Sequence, residues 1–334
     1  MSRRFVSWKH RTDVCPASLL RGGERINSFM SWVGGKKALR DEIISRFPVD
    51  YKRYIEVFGG GGWVLFHKNP GRDFEVYNDF NGNLVNLYRC VREHPTELQE
   101  ELRYILNARL DFEYMKYMIH SKAVLPDVRR AAYYYALIRY SYASSVDSFG
   151  SQPHAMWKNF PLITAAAKRL QSVVIENKDC VKLIKQYDRK ESFFYCDPPY
   201  YETEGYYEGG GFGRNDHARL AEGLVSMQGK FLLSYNDCPE IRDLYDRPGI
   251  YIEGISRLSN MAQRFDAGCQ SATAVTFPSL TVATEDLLVV QVTVLSVAFA
   301  GVIVAVNVSE SPSVSVSVDL FKLTPVTGTV AAVS

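Results

Sequence analysis

Cysteine is sparse in this chain: six are scattered over 334 residues (Cys15, Cys90, Cys180, Cys196, Cys238 and Cys269), and the nearest two stand 16 apart. That spacing excludes a CxxC redox pair or a zinc knuckle, and it predicts reduced thiols in a cytoplasmic protein. Histidine is equally thin, and His10, His67, His94, His120, His154 and His217 show no ligand spacing, so no metal is expected. His217 reads as a structural or loop residue rather than a base. The basic opening MSRRFVSWKH has no apolar run of signal-peptide length behind it, which argues against secretion. Two nucleotide-binding signatures are also missing. Gly60 and Gly62 are not followed by a glycine at position 65, which is Leu65, so GxGxxG is absent. Gly35-Lys36 lacks the upstream glycine and the following Ser or Thr of a phosphate loop. Finally, residues 271–334 carry one basic residue against four acidic ones, whereas residues 1–270 carry 38 against 33. The body is mildly basic and the tail is not.

What is present is ample core material, with 46% apolar residues, enough for one large α/β domain or two medium ones. Residues 1–27 are basic and aperiodic and read as a flexible leader. Leu39, Ile43 and Phe47 then stand at helical spacing. Short β-rich runs recur at YIEVF (54–58), FEVYN (74–78), SVVIE (172–176), SFFYC (192–196) and KFLLSY (230–235). Most alternate with helix-like stretches, the rhythm of a parallel sheet with crossover helices. The rhythm breaks between 80 and 170, where ELQEELRYILNARL and VRRAAYYYALIRY predict an inserted helical subdomain. Its 12 basic and 8 acidic residues between Arg89 and Arg169, with many tyrosines, suit either a nucleic-acid surface or a tyrosine-rich core under a solvated face.

After Gln270 the composition turns to Val, Ser, Thr and Ala, with 17 valines in 64 residues and strict alternation in VIVAVNV and SVSVSV. Residues 287–309 carry no charge, close to the length of a membrane span, but Gln291, Thr293, Ser296 and Asn307 and the lack of flanking Lys or Arg speak against one. Added β structure, or a sequence that has left its ancestral reading frame, fits this tail better.

Three motifs carry chemistry. In EVFGGGGWVLF (56–66) a strand runs into four glycines, which turn tightly and let a ligand approach the backbone at the carboxyl end of a parallel strand. VYND ends the next strand on Asp79, suited to a ribose hydroxyl of an adenosine-containing cofactor, or alternatively to capping the following helix. In Asp197-Pro198-Pro199-Tyr200 the prolines stiffen the turn and leave carbonyls free, so Asp197 and the Pro198 carbonyl form a paired acceptor for an exocyclic amino group. Tyr200 offers a ring face on which a planar base can stack. The stretch YETEGYYEGGGFGRNDH behind it reads as a mobile loop beside the pocket.

The order SWVGGKK, EVFGGGG, YND, helical insertion, IENKDC and DPPY resembles the Dam-like family of adenine-specific DNA methyltransferases, over roughly residues 28–270. The resemblance implies a Rossmann-like α/β methyltransferase sheet (28–80 plus 170–270), a helical target-recognition subdomain (81–169) and an atypical Val/Ser/Thr-rich tail (271–334). It implies S-adenosylmethionine (SAM) as methyl donor, and as substrate an adenine flipped from double-stranded DNA. No metal, no membrane and action as a monomer are expected with it. Carried over residue by residue, Trp32, Gly34, Gly35 and Lys36 match the N-terminal cofactor motif, with Lys36 suited to the donor's carboxylate. Phe58, Gly60 and Gly62 match the FxGxG loop, Asp79 the ribose acid and Asp179 the acid that meets the cofactor's adenine. Cys180 stands where many members have a stacking phenylalanine. Asp197, Pro198, Pro199 and Tyr200 match the catalytic tetrapeptide. RYSYASSVDSFG, with Arg139, Tyr140, Tyr142 and Ser148, falls where the family carries DNA-recognition elements. Related tetrapeptides serve N4-cytosine and RNA methyltransferases, and the tail raises an inactive DNA-binding remnant as a further alternative. TEDLLVVQV (284–292) is the candidate for the last strand of the sheet.

Overall fold

Strands covered on both faces need apolar side chains at successive positions, and the central runs have them: all five residues of SFFYC are buried, as are Tyr54, Ile55 and Glu56 in RYIE. The computed structural model describes residues 25–71, 73–121, 124–202, 204 and 211–257, and the strands at 2–9, 275–277, 280–283 and 289–291. In chain order the elements are β1 (Ser2–Lys9), α1 (Arg40–Ile44), β2 (Arg53–Glu56), α2 (Trp63–His67), β3 (Phe74–Asn78), α3 (Gly82–Glu93), α4 (Pro95–Arg103), α5 (Arg109–His120), α6 (Asp127–Tyr140) and α7 (Phe160–Leu170). There follow β4 (Val173–Glu176), α8 (Cys180–Tyr187), β5 (Ser192–Cys196), α9 (Arg214–Ser226), β6 (Lys230–Asn236), α10 (Pro239–Tyr245), β7 (Ile250–Arg257), β8 (Val275–Phe277), β9 (Leu280–Ala283) and β10 (Val289–Gln291).

The main sheet has the order β4-β3-β2-β5-β6-β1-β7, with β4, β3, β2, β5 and β6 parallel. Ile55 lies between Val76 of β3 and Phe194 of β5, so the register joins three apolar runs. The strand order reverses between β2 and β5, the position at which open α/β sheets bind ligands beyond the carboxyl ends. This mixed α/β architecture agrees with the expected Rossmann-like sheet.

The insertion between β3 and β4 is helical, as its sequence implied, and resolves its tyrosines into two groups. Tyr134, Tyr135 and Tyr140 of α6 are buried, whereas Tyr104, Tyr114, Tyr117 and Tyr142 are exposed. Tyr135 donates to the Phe29 carbonyl and Tyr88 of α3 to the Gly60 carbonyl, so the insertion braces the segments that flank the ligand end of the sheet.

Two expectations change. The leader read as flexible contains strand β1, built from the β-favouring Phe5, Val6 and Trp8 among its residues. The strand expected in TEDLLVVQV is short and joins a separate antiparallel sheet, β10-β9-β8, rather than closing the parallel one. Apart from residues 289–291, the uncharged stretch 287–309 lies outside the described residues, as do VIVAVNV and SVSVSV. Among the described residues no helix is long and apolar enough to cross a membrane.

Candidate active site

The carboxyl ends of β2, β3 and β5, and the β4–α8 turn, converge on one cleft. It is lined by Trp32–Lys36, Glu56–Val64, Asn78–Asn81, Ser144–Val146, Lys178–Cys180, Tyr195, Asp197, Pro199, Glu204, Gly211 and Phe212. All ten sequence-derived cofactor residues are therefore brought together: Trp32, Gly34, Gly35, Lys36, Phe58, Gly60, Gly62, Asp79, Asp179 and Cys180. Of the tetrapeptide, Asp197 and Pro199 line the cleft, while Pro198 and Tyr200 are not among its lining residues.

The glycine loop needs its glycines. Gly60 and Gly62 sit at φ of 49° and 62°, in the left-handed region that penalises side chains, and a Cβ at Gly60 meets the Trp32 indole at 2.8 Å. Asp79 stitches loop and strand together: its Oδ2 accepts from the Gly60 amide (2.9 Å) and its Oδ1 from the Asn81 amide (2.9 Å). Burial raises its pKa, against the pull of these backbone donors. The capping role weighed for Asp79 belongs to Asn81, whose Oδ1 accepts from the Asn83 and Leu84 amides at the start of α3. Asp79 is thus left facing the cleft.

Asp179 caps α8 by accepting from the Lys182 amide, and it is clamped by Arg219 at 2.6 Å. The guanidinium hydrogen bond holds its pKa below the usual carboxylate range. The Cys180 thiol beside it is pushed up to about 12 by burial, so it is an inert surface rather than a nucleophile. Three rings belong to the lining of the same cleft: Phe58 and Phe212 meet edge to face at 5.4 Å, and Phe80 is half exposed.

Asp197 is held on both oxygens. Ser234 Oγ donates to Oδ1 at 2.7 Å, and Lys36 Nζ lies 2.5 Å from Oδ2. Lys36 also donates to the Gly34 carbonyl at 2.9 Å and stands 4.9 Å from the Tyr200 ring centroid. Tyr200 is itself buried beside Tyr235. Beneath these groups Glu56 is buried and accepts from the Tyr54 hydroxyl at 2.7 Å. Burial, aided by the charge of Asp197, lifts its pKa to about 8 despite that hydrogen bond.

The loop behind the tetrapeptide is described at Tyr201, Glu202, Glu204 and from Gly211 on; the rest of YETEGYYEGG lies outside the described residues. His217 is buried and bridges the Tyr235 hydroxyl (2.5 Å) and Glu204 (2.7 Å). In the RYSYASSVDSFG segment, Ser144, Ser145 and Val146 reach the cleft, and Ala143, Ser144 and Val146 adopt positive φ. Arg139 points to Asn159 and His154 within the insertion, and Tyr140 is buried, which leaves Tyr142 as the exposed aromatic there.

Residues 32–261 match the model of a known family, the D12 class N6 adenine-specific DNA methyltransferases. The chain belongs to that family. It is similar to a DNA adenine methylase of Haemophilus influenzae, 30% identical over 244 residues, which cover 65% of this chain and 82% of that protein. It is also 28% identical over 244 residues to the type II methyltransferase M1.LlaDCHI of Lactococcus lactis subsp. cremoris, covering 66% and 84%. The DNA adenine methylase of Escherichia coli is 25% identical over 250 residues, covering 69% and 88%. The chain is accordingly an adenine-specific DNA methyltransferase that modifies N6, and the adenine reading prevails over the N4-cytosine and RNA alternatives.

The sequence singled out neither Glu56, Ser234, Glu204, Phe80 nor Phe212 in this methyltransferase. Glu56 carried a usable signal, an acid at the end of an apolar strand three residues before the first of the four glycines. Ser234 carried none, being one polar residue in the run KFLLSY.

Proposed function

We propose that this methyltransferase uses SAM as donor, that its acceptor is an adenine flipped out of double-stranded DNA, and that Asp197 and the Pro198 carbonyl receive the two N6 hydrogens. The observation that carries the reading is the position of Asp197 at the tip of β5, beside the glycine loop of β2, in a cleft whose described lining residues include five carboxyl groups and two ammonium groups.

The residues present fit that donor. The left-handed glycines leave a cradle that a Cβ would fill, and Asp79 beside it is the carboxylate that would hold the ribose. Trp32, Gly34, Gly35, Phe58, Gly60 and Gly62 line the same cleft as Asp179 and Cys180, the pair assigned to the donor's adenine ring. Phe58, Phe80 and Phe212 supply the aromatic surface that Cys180 lacks. The excess of carboxyl groups suits a cationic ligand. When bound, SAM supplies an already activated methyl group on a sulfonium.

The protein's part is then to bind, align and draw off charge. An adenine amine is a poor nucleophile because its lone pair is delocalised into the ring. Hydrogen bonds from N6 to Asp197 and to the Pro198 carbonyl favour the pyramidal amine and accept the proton's developing charge. Ser234 fixes the carboxylate plane. A base inside a duplex cannot reach this cleft, so extrusion costs a few kcal/mol, which contacts to the base offset. Residues 81–169 serve target recognition, through Tyr142 and the strained turn at 143–146. Action as a monomer in a cytoplasmic setting, where the free Cys90, Cys180, Cys196 and Cys238 stay reduced, belongs to the same reading.

The test is transfer of labelled methyl from SAM to unmethylated duplex DNA, the same DNA as single strands, and RNA, followed by nucleoside digestion. The reading expects N6-methyladenine in duplex DNA, abolished in Asp197→Ala. Equal labelling of single strands would remove the flipping step from it.

A further inference from the structure

Among the described residues that line the cleft, a ligand bearing a carboxylate finds only one available cation. Five carboxyl groups line it (Glu56, Asp79, Asp179, Asp197, Glu204), and of the two lysines, Lys178 is turned to Glu176 and Gln186. The other, Lys36, is already engaged. Its side chain is 5% exposed, its Nζ lies 2.5 Å from Asp197 Oδ2 and 2.9 Å from the Gly34 carbonyl, and it stands over the Tyr200 ring. The same ammonium thus occupies both features assigned to the acceptor base: the carboxylate that takes the N6 hydrogens and the ring for stacking. A target base and this arrangement of Lys36 exclude one another.

We infer that Lys36 couples the two halves of the site: without donor it closes the acceptor pocket by holding Asp197 and covering Tyr200, and the donor's carboxylate draws it away and frees both for the base. The inference rests on the donor reading above. Donor therefore binds before the base is accepted, and the coupling is reciprocal, since two anions compete for one ammonium. The pair is 5% and 16% exposed, so its attraction is less screened than that of a surface ion pair. Removing the charge of Asp197, though it destroys the acceptor, must strengthen the grip on a carboxylate-bearing ligand.

The experiment is calorimetric titration of the full chain with two probes. S-adenosylhomocysteine carries the carboxylate but no sulfonium charge for Asp197 to attract; 5′-methylthioadenosine keeps the nucleoside and thioether but has no carboxylate. Asp197→Asn is expected to tighten S-adenosylhomocysteine about tenfold, equivalent to about 1.4 kcal/mol, and to leave methylthioadenosine within about twofold. In a Lys36→Met background the same substitution changes neither. Thermal melts check that each variant folds, and Asp197→Ser carries the same expectation should the asparagine variant not fold. Unchanged or weakened S-adenosylhomocysteine binding, or equal tightening of both probes, would overturn the coupling. Failure of S-adenosylhomocysteine to bind the wild-type chain would instead overturn the donor reading, and the coupling with it.

Discussion

Replacing Glu75 by glutamine should destabilise the protein far more than its distance from the chemistry suggests. Glu75 on β3 is buried, and its carboxylate receives Arg169 from α7 through two hydrogen bonds (2.6 and 2.7 Å) and Lys68 at 2.5 Å. Arg169 also donates to the Leu65 carbonyl, so one cluster ties the strand to α2 and to the last helix of the insertion. Glutamine leaves two buried cations facing a neutral amide. Breaking a buried pair in this way costs about 3–5 kcal/mol, because the surviving charge stays desolvated. For a unit of this size each kcal/mol shifts Tm by about 2–4 °C, so a fall of roughly 6–20 °C is expected. The pH dependence has a definite sign. Burial pushes the Glu75 carboxyl up, but the Arg169 hydrogen bonds and the Lys68 charge outweigh it, and the pKa lies below its ordinary 4.5. That stabilisation is complete above pH 4.5 and is lost as pH falls through the lowered value, a loss Glu75→Gln lacks. Thermal and urea melts followed by circular dichroism measure both effects. The triple replacement Lys68→Met, Glu75→Leu, Arg169→Met should restore most of the stability, since no charge then needs compensation. A loss below about 1 kcal/mol for Glu75→Gln, or a triple variant worse than the single, would refute the reasoning.

Three further outcomes follow from the site. Gly60→Ala places a Cβ against Trp32 at positive φ, a strain of about 1–2 kcal/mol, and should weaken S-adenosylhomocysteine binding about tenfold or more in calorimetry. Ser234→Ala removes a hydrogen bond to a charged oxygen, worth about 1.5–3 kcal/mol, and should lower kcat about tenfold or more with KM for DNA nearly unchanged; a pure KM effect would deny it a positioning role. Glu56, with its pKa raised from 4.5 to about 8, keeps a proton in the folded state that the unfolded chain releases. Its contribution is therefore greatest below pH 4.5 and falls by at most about 1.4 kcal/mol per pH unit up to about 8, and Glu56→Gln should flatten the urea-melt profile across that window.

The central strands were legible because parallel strands covered on both faces read as continuous apolar runs. FEVYN and SFFYC coincide with β3 and β5 residue for residue. β7 was not legible, since IYIEGISR carries a glycine and charges that mimic a loop. β1 was hidden by its arginines and lysine. Site residues at strand tips could be found because the motifs name both the residue and its place at the carboxyl end of a strand. Which partners they take was not written in the sequence. The Lys36–Asp197 pair, the Ser234 hydrogen bond and the Glu75–Arg169 contact, 94 residues apart in the chain, arise from strand order and helix packing. Cys180 shows the opposite case: the departure from the family pattern was visible, but the presence of Phe80 and Phe212 in the lining of the same cleft was not.

The measurement that bears most directly on the central claim is the nucleoside composition of DNA from a methylation-deficient host expressing the full chain, determined by mass spectrometry beside Asp197→Ala. The account predicts N6-methyladenine with the wild-type chain and none with the variant. N4-methylcytosine in its place, or N6-methyladenine that persists without Asp197, would contradict it.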